Sequence, residues 1–271
     1  MNKKLSVALI GAGSMGGALL RGWINNDIID VAGSAVFDPA LPDWVRSEAT
    51  ARGIALNPPR DEREVDALVF AVKPQAVGAV LPAFERLAKS SLTISVMAGK
   101  SIAAIGSALG GATKIVRAMP NLPAAVGAGA SGLFAPPAVG ADGRRVAERL
   151  MAAVGEAIWV DSETAIDAVT AVSGSGPAYF FLLAEALEEA ARSQGLSDDA
   201  ARRLARATLV GAGAFSASDP RRIDDLRRAV TSPGGTTQAA LKIFDGDDQR
   251  MRKLVREAVA AAARRAGELT D

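Results

Sequence analysis

The sequence of 271 residues contains neither cysteine nor histidine. Without cysteine, disulfide bonds, thiolate nucleophiles and zinc–thiolate sites are excluded. Without histidine, the chain lacks the commonest general acid–base residue and the commonest transition-metal ligand, and no metal site is predicted. Any chemistry must therefore depend on a bound cofactor, carboxylates, lysine, hydroxyl groups or the single tyrosine, Tyr179.

The sequence also lacks an excess of charge and long hydrophobic runs. Its 31 basic and 30 acidic residues nearly cancel, so neither nucleic acid nor a membrane is predicted as a partner. No run approaches the roughly 18 uninterrupted apolar residues of a membrane span. The apolar stretch at residues 5–10 is too short for the core of a secretory signal and indicates a buried strand. These features favour a cytoplasmic enzyme.

The first part of the chain alternates short apolar runs with amphipathic stretches. This pattern is typical of a mainly parallel sheet that helices cover on both faces, and it predicts an α/β domain over residues 1–160. The strands are predicted at residues 5–10, 35–37, 54–56, 67–72, 92–97, 114–118, 130–134 and 157–160, and the helices near residues 15–26, 44–51, 76–87, 102–109 and 144–154.

The remaining residues, 161–271, contain helical patterns only and predict an all-helical C-terminal domain. In the helix predicted at residues 178–192, the polar side chains share one face and leave a broad apolar remainder. Residues 200–216 and the last helix have similarly wide apolar faces. We expect these helices to form a subunit interface, with a well-packed monomeric bundle as the alternative.

A glycine motif follows the first strand and begins the first helix. It reads Gly11, Ala12, Gly13, Ser14, Met15 and Gly16, and it fits the G-x-G-x-x-G pattern of dinucleotide-binding sites. In that pattern Gly11 permits the tight turn, and Gly13 lets the backbone approach a pyrophosphate. Gly16 allows the helix to pack closely on the strand, with its N-terminal amides facing the anion. A purely structural glycine turn is the alternative.

An acidic residue, Asp38, ends the second predicted strand 22 residues after Gly16. An acid at this place commonly accepts hydrogen bonds from the adenosine ribose, which favours NADH over NADPH. The alternative is that Asp38 only starts a turn and caps the next helix. Arg46 and Arg60 are candidate phosphate partners, so both NADPH and NADH remain open as cofactors.

Three consecutive strands end in loops that suit a bound nicotinamide, because ligands of open α/β sheets bind at the carboxyl ends of the strands. Lys73 is a candidate for carrying a proton or contacting the ribose, and an ordinary exposed lysine is the alternative. The residues predicted to line the cofactor here are Ala71, Val72, Lys73, Pro74, Ala98, Gly99 and Asn121, and Met119 is predicted to face the substrate.

Two motifs in the helical part precede predicted helices. Residues 173–179 read SGSGPAY, in which Ser175 is a candidate helix cap and Pro177 suits a first helical turn. Residues 231–237 read TSPGGTT, and their glycines and hydroxyls at a helix start form a small site of free amides for an anion such as a carboxylate. Either motif alone is also explained as a cap.

Together, the strings GAGSMGG, AVKP, RAMPN, SGSGPAY and TSPGGTT occur in this order from Gly11 to Thr237. A chain with these strings resembles the pyrroline-5-carboxylate reductases, which reduce a cyclic imine in the last step of proline synthesis. The resemblance implies a Rossmann-type domain, a C-terminal helical dimerisation domain, and homodimers that assemble into decamers. Asn57 stands close to where many relatives have an asparagine near the adenosine ribose.

The resemblance also implies which residues surround the substrate, pyrroline-5-carboxylate. Thr237 is the expected hydrogen-bond donor to the ring nitrogen and, with Lys73, makes up the predicted catalytic set. The predicted substrate-binding residues are Met119, Glu163, Ser175, Ser232, Gly234, Gly235, Thr236 and Thr237.

The missing histidine favours imine over carbonyl reduction. An imine nitrogen can arrive protonated, so a hydroxyl such as that of Thr237 is sufficient to orient it, whereas a developing alkoxide usually needs an acid. Lys73 and Tyr179 stay open as acids for a carbonyl substrate. One alternative is another imine reductase or a β-hydroxyacid oxidoreductase with the same two domains. The latter usually has a lysine in the first long helix, and residues 178–192 contain none. A non-catalytic dinucleotide-binding regulator is a second alternative, although it would not need the anion site at residues 231–237.

Overall fold

The computed structural model describes residues 3–59 and 64–269. Within them, eight strands form one sheet in the order β3-β2-β1-β4-β5-β6-β7-β8. Neighbouring strands are parallel except β6 and β7, which are antiparallel. The strands are β1 (Val7–Ile10), β2 (Ala35–Phe37), β3 (Ala55–Leu56), β4 (Ala67–Phe70), β5 (Leu92–Ser95), β6 (Ile115–Met119), β7 (Gly129–Phe134) and β8 (Gly155–Trp159). The predicted α/β class and each predicted strand are confirmed, with bounds that shift by a few residues.

Helices cover the sheet on both faces, so its central strands β1, β4 and β5 are buried along their whole length. One face packs on α1, α2 and α6, where Trp23 is fully buried and its Nε1 donates to the carbonyl of Leu150 at 2.8 Å. The other face carries Phe70 and Phe84, which meet edge to face. The helices are α1 (Ser14–Asn25), α2 (Asp43–Arg52), α3 (Val77–Val80), α4 (Glu85–Ser90), α5 (Ile102–Ala108), α6 (Gly140–Ala152), α7 (Ala165–Val169), α8 (Gly176–Ser193), α9 (Asp198–Ser218), α10 (Ile223–Ala229), α11 (Thr236–Asp245) and α12 (Arg250–Glu268).

The single helix predicted at residues 76–87 is wrong in detail. The chain instead forms a 3₁₀ turn at Pro74–Ala76, then α3, a second 3₁₀ turn at Leu81–Phe84, and α4. Pro82 lies in the first positions of the second 3₁₀ turn. Proline has no N–H to donate and crowds the preceding turn, so a regular helix cannot run through this position.

The helix that contains the SGSGPAY motif begins earlier than predicted. A helix runs from Ala165 to Ser193, and it includes a π-turn at Thr170–Gly174 between α7 and α8. The prediction that Ser175 caps a helix is wrong, because its φ and ψ of −84° and −23° are right-handed helical angles and not the extended ones of an N-cap. Its N–H donates to the carbonyl of Thr170 at 2.8 Å. Length and composition alone would let this helix cross a bilayer. However, α7 packs on β6 and β7, as expected for a helix that starts in a folded domain.

The chain divides into two compact units. The first comprises the residues up to Ser175 together with the end of α12 from Ala262, and the second comprises residues 176–261. In the second unit α8 packs on α9, yet many large apolar side chains stay exposed, among them Phe180, Phe181 and Leu182 at 61–65%. The domain boundary predicted after residue 160 stays a prediction.

Candidate active site

The glycine motif forms the loop between β1 and α1, and two of its glycines are required by close packing. Gly11 has a φ of +90°, and a Cβ there would lie 2.7 Å from the carbonyl oxygen of Ala71. A Cβ at Gly16 would overlap the carbonyl oxygen of Gly11 and come within 3.1 Å of the Ala71 Cβ. The loop therefore lies directly against the end of β4, and the structure brings residues 11–16 and 71–72 together.

The third glycine of the motif, Gly13, faces open space. A Cβ built on Gly13 has no atom within 4 Å, and no side chain caps α1 at this residue. The first amides of a helix lack intrahelical partners and attract anions. Residues 12–14 also border a cleft of about 440 Å³, in which Arg21 stacks 4.3 Å from the ring centre of Trp44. This arrangement of open backbone and unpaired amides fits a dinucleotide pyrophosphate.

Asp38 lies at the end of β2 and holds the glycine loop in place. Its carboxylate accepts hydrogen bonds from the N–H of Ala12 at 2.7 Å and from the N–H of Ala40 at 2.8 Å. The side-chain amide of Asn57 bonds both the N–H and the carbonyl of Asp38. Asn57 is therefore engaged by the protein itself. Arg46 is exposed, and Arg60 lies outside the described residues.

Lys73 follows β4 and is exposed, with extended backbone immediately before the turn that begins at Pro74. The next strand-end loop contains Ala98 and Gly99. Gly99 has a φ of +65°, and a Cβ there would lie 2.5 Å from the carbonyl oxygen of Leu269. Both loops follow the carboxyl ends of neighbouring parallel strands, on the same sheet edge as the glycine loop.

Glu163 links the start of α5 to β6. Its Oε1 accepts a hydrogen bond from the N–H of Ile102 at 2.6 Å and lies 3.2 Å from Nη1 of Arg117, which is buried. Sequence reasoning did not single out Arg117, although it is the first letter of the RAMPN string. Glu163 is predicted to face the substrate, and within the first unit its carboxylate contacts the protein.

Asn121 joins two of the sequence motifs. Its side-chain amide donates to the carbonyl of Ser173 at 2.9 Å, and its oxygen accepts from the N–H of Ala130 at 2.8 Å. In a helix the carbonyl of Ser173 would pair with the N–H four residues later, but that residue is Pro177, which has none. Asn121 supplies the missing donor. The Met119 methyl group also lies close to Gly174, 3.2 Å from where a Cβ there would be.

In the second unit, residues 232–235 form a turn that precedes α11. Gly234 has a φ of +71°, and a Cβ at Gly235 would overlap the Ser232 hydroxyl. No side chain caps α11 at Gly235, although the N–H of Gly234 donates to Oε1 of Gln238 at 2.7 Å. Thr236 and Thr237 occupy the first turn of α11, with unpaired amides suited to an anion. Gln238, which the sequence patterns did not indicate, therefore helps to hold the turn before α11.

Two family models match separate parts of the chain. One, described as pyrroline-5-carboxylate reductase dimerisation, matches residues 163–269. The other, described as NADP oxidoreductase, coenzyme F420-dependent, matches residues 6–99. The first match supports oligomerisation through the C-terminal region, where apolar side chains are exposed.

Relatives match along almost the whole chain. The pyrroline-5-carboxylate reductase of Pseudomonas aeruginosa is 40% identical over 275 residues, covering 98% of this chain and 97% of the relative. The solved structure of a pyrroline-5-carboxylate reductase from Coxiella burnetii superposes with a TM-score of 0.91 at 37% identity, covering 99% of this chain and 100% of that one. The Plasmodium falciparum pyrroline carboxylate reductase with NADP bound has a TM-score of 0.80 at 27% identity and covers 98% of both chains. The chain therefore belongs to the pyrroline-5-carboxylate reductase family.

Proposed function

We propose that the chain reduces the ring imine of pyrroline-5-carboxylate to proline, with NADPH or NADH as the hydride source. The observation that carries this proposal is the 40% identity to a reductase of that name over 98% of the chain. The open backbone at Gly13, beside the unpaired amides of α1, supports the cofactor part of the proposal. The enzyme is accordingly an oxidoreductase that acts on a C=N group.

The first unit would hold the cofactor. When bound, the nicotinamide supplies a hydride to the imine carbon while the nitrogen carries one proton, giving the amine and the oxidised cofactor. The first amides of α1 would bind the pyrophosphate, and Asp38 would accept hydrogen bonds from the adenosine ribose. The loops at residues 71–74 and 98–99 line the nicotinamide half. Lys73 contacts the ribose or carries a proton.

The second unit supplies groups for the substrate. The amides of Thr236 and Thr237 in the first turn of α11, together with the hydroxyls of Ser232 and Thr236, bind the substrate carboxylate. The N–H groups of Gly234 and Gly235 already donate to Gln238 and to the carbonyl of Ser232, so these glycines shape the turn. The Thr237 hydroxyl donates a hydrogen bond to the ring nitrogen. Because that nitrogen is basic enough to be protonated before hydride arrives, its orientation does not require a strong acid. This explains how a chain without histidine carries out the reduction. Met119 and Ser175 complete the proposed substrate set.

We further propose a homodimer formed by the C-terminal helices, assembly of dimers into a decamer, and a cytoplasmic location. The exposed side chains of Phe180, Phe181 and Leu182 support an interface on α8. Light scattering on the purified chain tests the assembly. A monomer mass at micromolar concentration would contradict both the dimer and the decamer.

The reaction is tested by the loss of nicotinamide absorbance with purified protein, pyrroline-5-carboxylate, and NADPH or NADH in parallel. We expect rapid oxidation and the appearance of proline, and the ratio of the two rates defines the preferred cofactor. Reactions without the imine are the control. Cofactor binding without turnover would contradict the proposal. Oxidation of β-hydroxyacids would then indicate the alternative enzyme, and inactivity with every substrate would indicate a regulator.

A further inference from the structure

We infer that Arg117 and Glu163 act together as positioning residues for the cofactor, by fixing the loop between β5 and α5. Glu163 then contacts this loop rather than the substrate. The inference rests on the proposed use of NADPH or NADH, and it concerns residues 96–101.

The first observation is the burial of a charge. Arg117 is 4% exposed and lies in β6 opposite Ser95 of β5. Side chains alternate along a strand, so Arg117 shares a face with Ile115, on the side of the sheet that α5 and α7 contact. An unpaired guanidinium in such a place is costly, because it loses its hydration. Its carboxylate partner is Glu163, 3.2 Å from Nη1.

The second observation is that Glu163 has two partners at one oxygen. The oxygen that faces Arg117 also accepts the N–H of Ile102 at 2.6 Å. Ile102 is the first residue of α5, where N–H groups have no partner within the helix. The Ser101 hydroxyl accepts the N–H of Ala104 at 3.1 Å. The start of α5 is thus held by one local cap and by one carboxylate from 61 residues away.

The third observation concerns the loop at residues 96–101, which these contacts hold in place. The loop begins at Val96, whose N–H donates to the carbonyl of Phe70 at 3.0 Å, and it ends where Glu163 binds Ile102. Between these points lie Ala98 and Gly99, which are proposed to line the nicotinamide half of the cofactor. Gly99 is also packed against the carbonyl of Leu269. Movement of the α5 start would therefore move the residues that line the cofactor.

The positive charge of Arg117 offsets the negative charge of Glu163. A carboxylate paired in this way attracts a cationic imine less strongly than an unpaired one does. Loss of a group that holds the cofactor loop weakens cofactor binding, whereas loss of a substrate contact raises the KM for the imine. The two roles are separable by measurement.

The test compares Glu163→Gln, Arg117→Met and the double variant with wild type, using NADPH titration by fluorescence without imine. Glutamine keeps an oxygen for Ile102 and removes only the charge. We expect each single variant to raise the Kd for NADPH about tenfold and the double variant to be no worse than the weaker-binding single one, because both break the same interaction. At saturating NADPH, the KM for the imine should change less than twofold.

Controls separate folding from function. Glu156→Gln removes an exposed carboxylate on β8 and should leave the Kd unchanged. Arg117→Lys keeps a cation beside Glu163 and should bind NADPH with most of the affinity that is lost in Arg117→Met. The lysine variant also keeps the test informative if Arg117→Met does not fold. An unchanged Kd together with a higher imine KM in Glu163→Gln would overturn the inference, and so would additive losses in the double variant. Failure of wild type to bind either NADPH or NADH would instead overturn the proposed function.

Discussion

Two glycines of the same loop should respond in opposite ways to one added methyl group. A Cβ at Gly16 would overlap the carbonyl oxygen of Gly11 and lie 3.0 Å from its carbonyl carbon, whereas a Cβ at Gly13 meets nothing within 4 Å. Gly13 also has a φ of −65°, which alanine adopts without strain. We therefore expect Gly16→Ala to lower the free energy of unfolding and Gly13→Ala to affect only cofactor binding.

The size of each effect follows from the contacts. Carbon and oxygen atoms that are not bonded stay about 3.3 Å apart, so α1 must move away from β1 in Gly16→Ala. Overpacking of this kind costs about 1–3 kcal/mol, and each kcal/mol lowers the Tm by roughly 2–4 °C in a chain of about this size. In Gly13→Ala, a lower unfolded-state entropy offsets a poorer helix cap, so the Tm should stay within about 2 °C of wild type.

For cofactor affinity, in contrast to stability, Gly13→Ala is expected to have the large effect. The methyl group of Gly13→Ala occupies the space through which the pyrophosphate approaches the amides of α1, and we expect the Kd for NADPH to rise at least about tenfold, or 1.4 kcal/mol. Thermal melts without cofactor and NADPH titration by fluorescence measure the two quantities independently. Wild-type NADPH affinity in Gly13→Ala would refute the assignment of this loop, and a wild-type Tm in Gly16→Ala would refute the packing argument.

Three other substitutions test the remaining assignments. Thr237→Val should lower kcat about tenfold to a hundredfold because a hydrogen bond to the ring nitrogen is lost, and Thr237→Ser should retain most activity. Asp38→Asn should weaken NADH more than NADPH, measured by the two Kd values, because a carboxylate favours a ribose hydroxyl over a phosphate. Burial favours a higher pKa for the Asp66 carboxyl, but hydrogen bonds from Ser6 and Lys3 hold its pKa below the usual value. The carboxylate therefore stabilises the folded state above the unfolded pKa of about 3.9, and this stabilisation is lost as pH falls through the lower folded pKa. We expect Asp66→Asn to lower the free energy of unfolding by about 1 kcal/mol at neutral pH. Urea unfolding should show a progressively smaller difference below pH ~4.

Each of these substitutions has an outcome that contradicts it. Unchanged turnover in Thr237→Val would remove that hydroxyl from the mechanism. Equal losses for NADH and NADPH would remove Asp38 from the ribose and leave only its hydrogen bond to Ala12. A stability difference for Asp66→Asn that does not shrink at all as pH falls below ~4 would show that the carboxylate charge is not its source.

The sheet was predictable from local patterns because several of its strands are short, apolar and buried on both faces. Residues 35–37 and 67–70 are such runs, and the glycine motif between β1 and α1 signals its own turn. The interruption of the helix predicted at residues 76–87 was also encoded locally, since Pro82 cannot donate a backbone hydrogen bond.

The features that could not be predicted depend on partners distant in sequence. Residues 173–176 were expected to precede or begin a helix, yet the helical segment already runs through them, and Asn121 pairs there with the carbonyl that Pro177 leaves unpaired. Glu163 resembles an ordinary exposed acid until β6 brings Arg117 beside it. Neither contact follows from spacing or periodicity, because the separations are 52 and 46 residues.

The packing of Leu269 on Gly99 determines where other molecules can be attached to this enzyme. An attached group that is joined shortly after Leu269 would lie beside the loop proposed to line the cofactor. Such a group could be a purification tag, a fluorescent fusion or a linker to a solid support. Lys3, by contrast, pairs with Asp66 just before β4 begins, at the opposite edge of the sheet from the strand-end loops. Attachment on the Lys3 side is therefore preferable for immobilisation and for sensors built on cofactor binding.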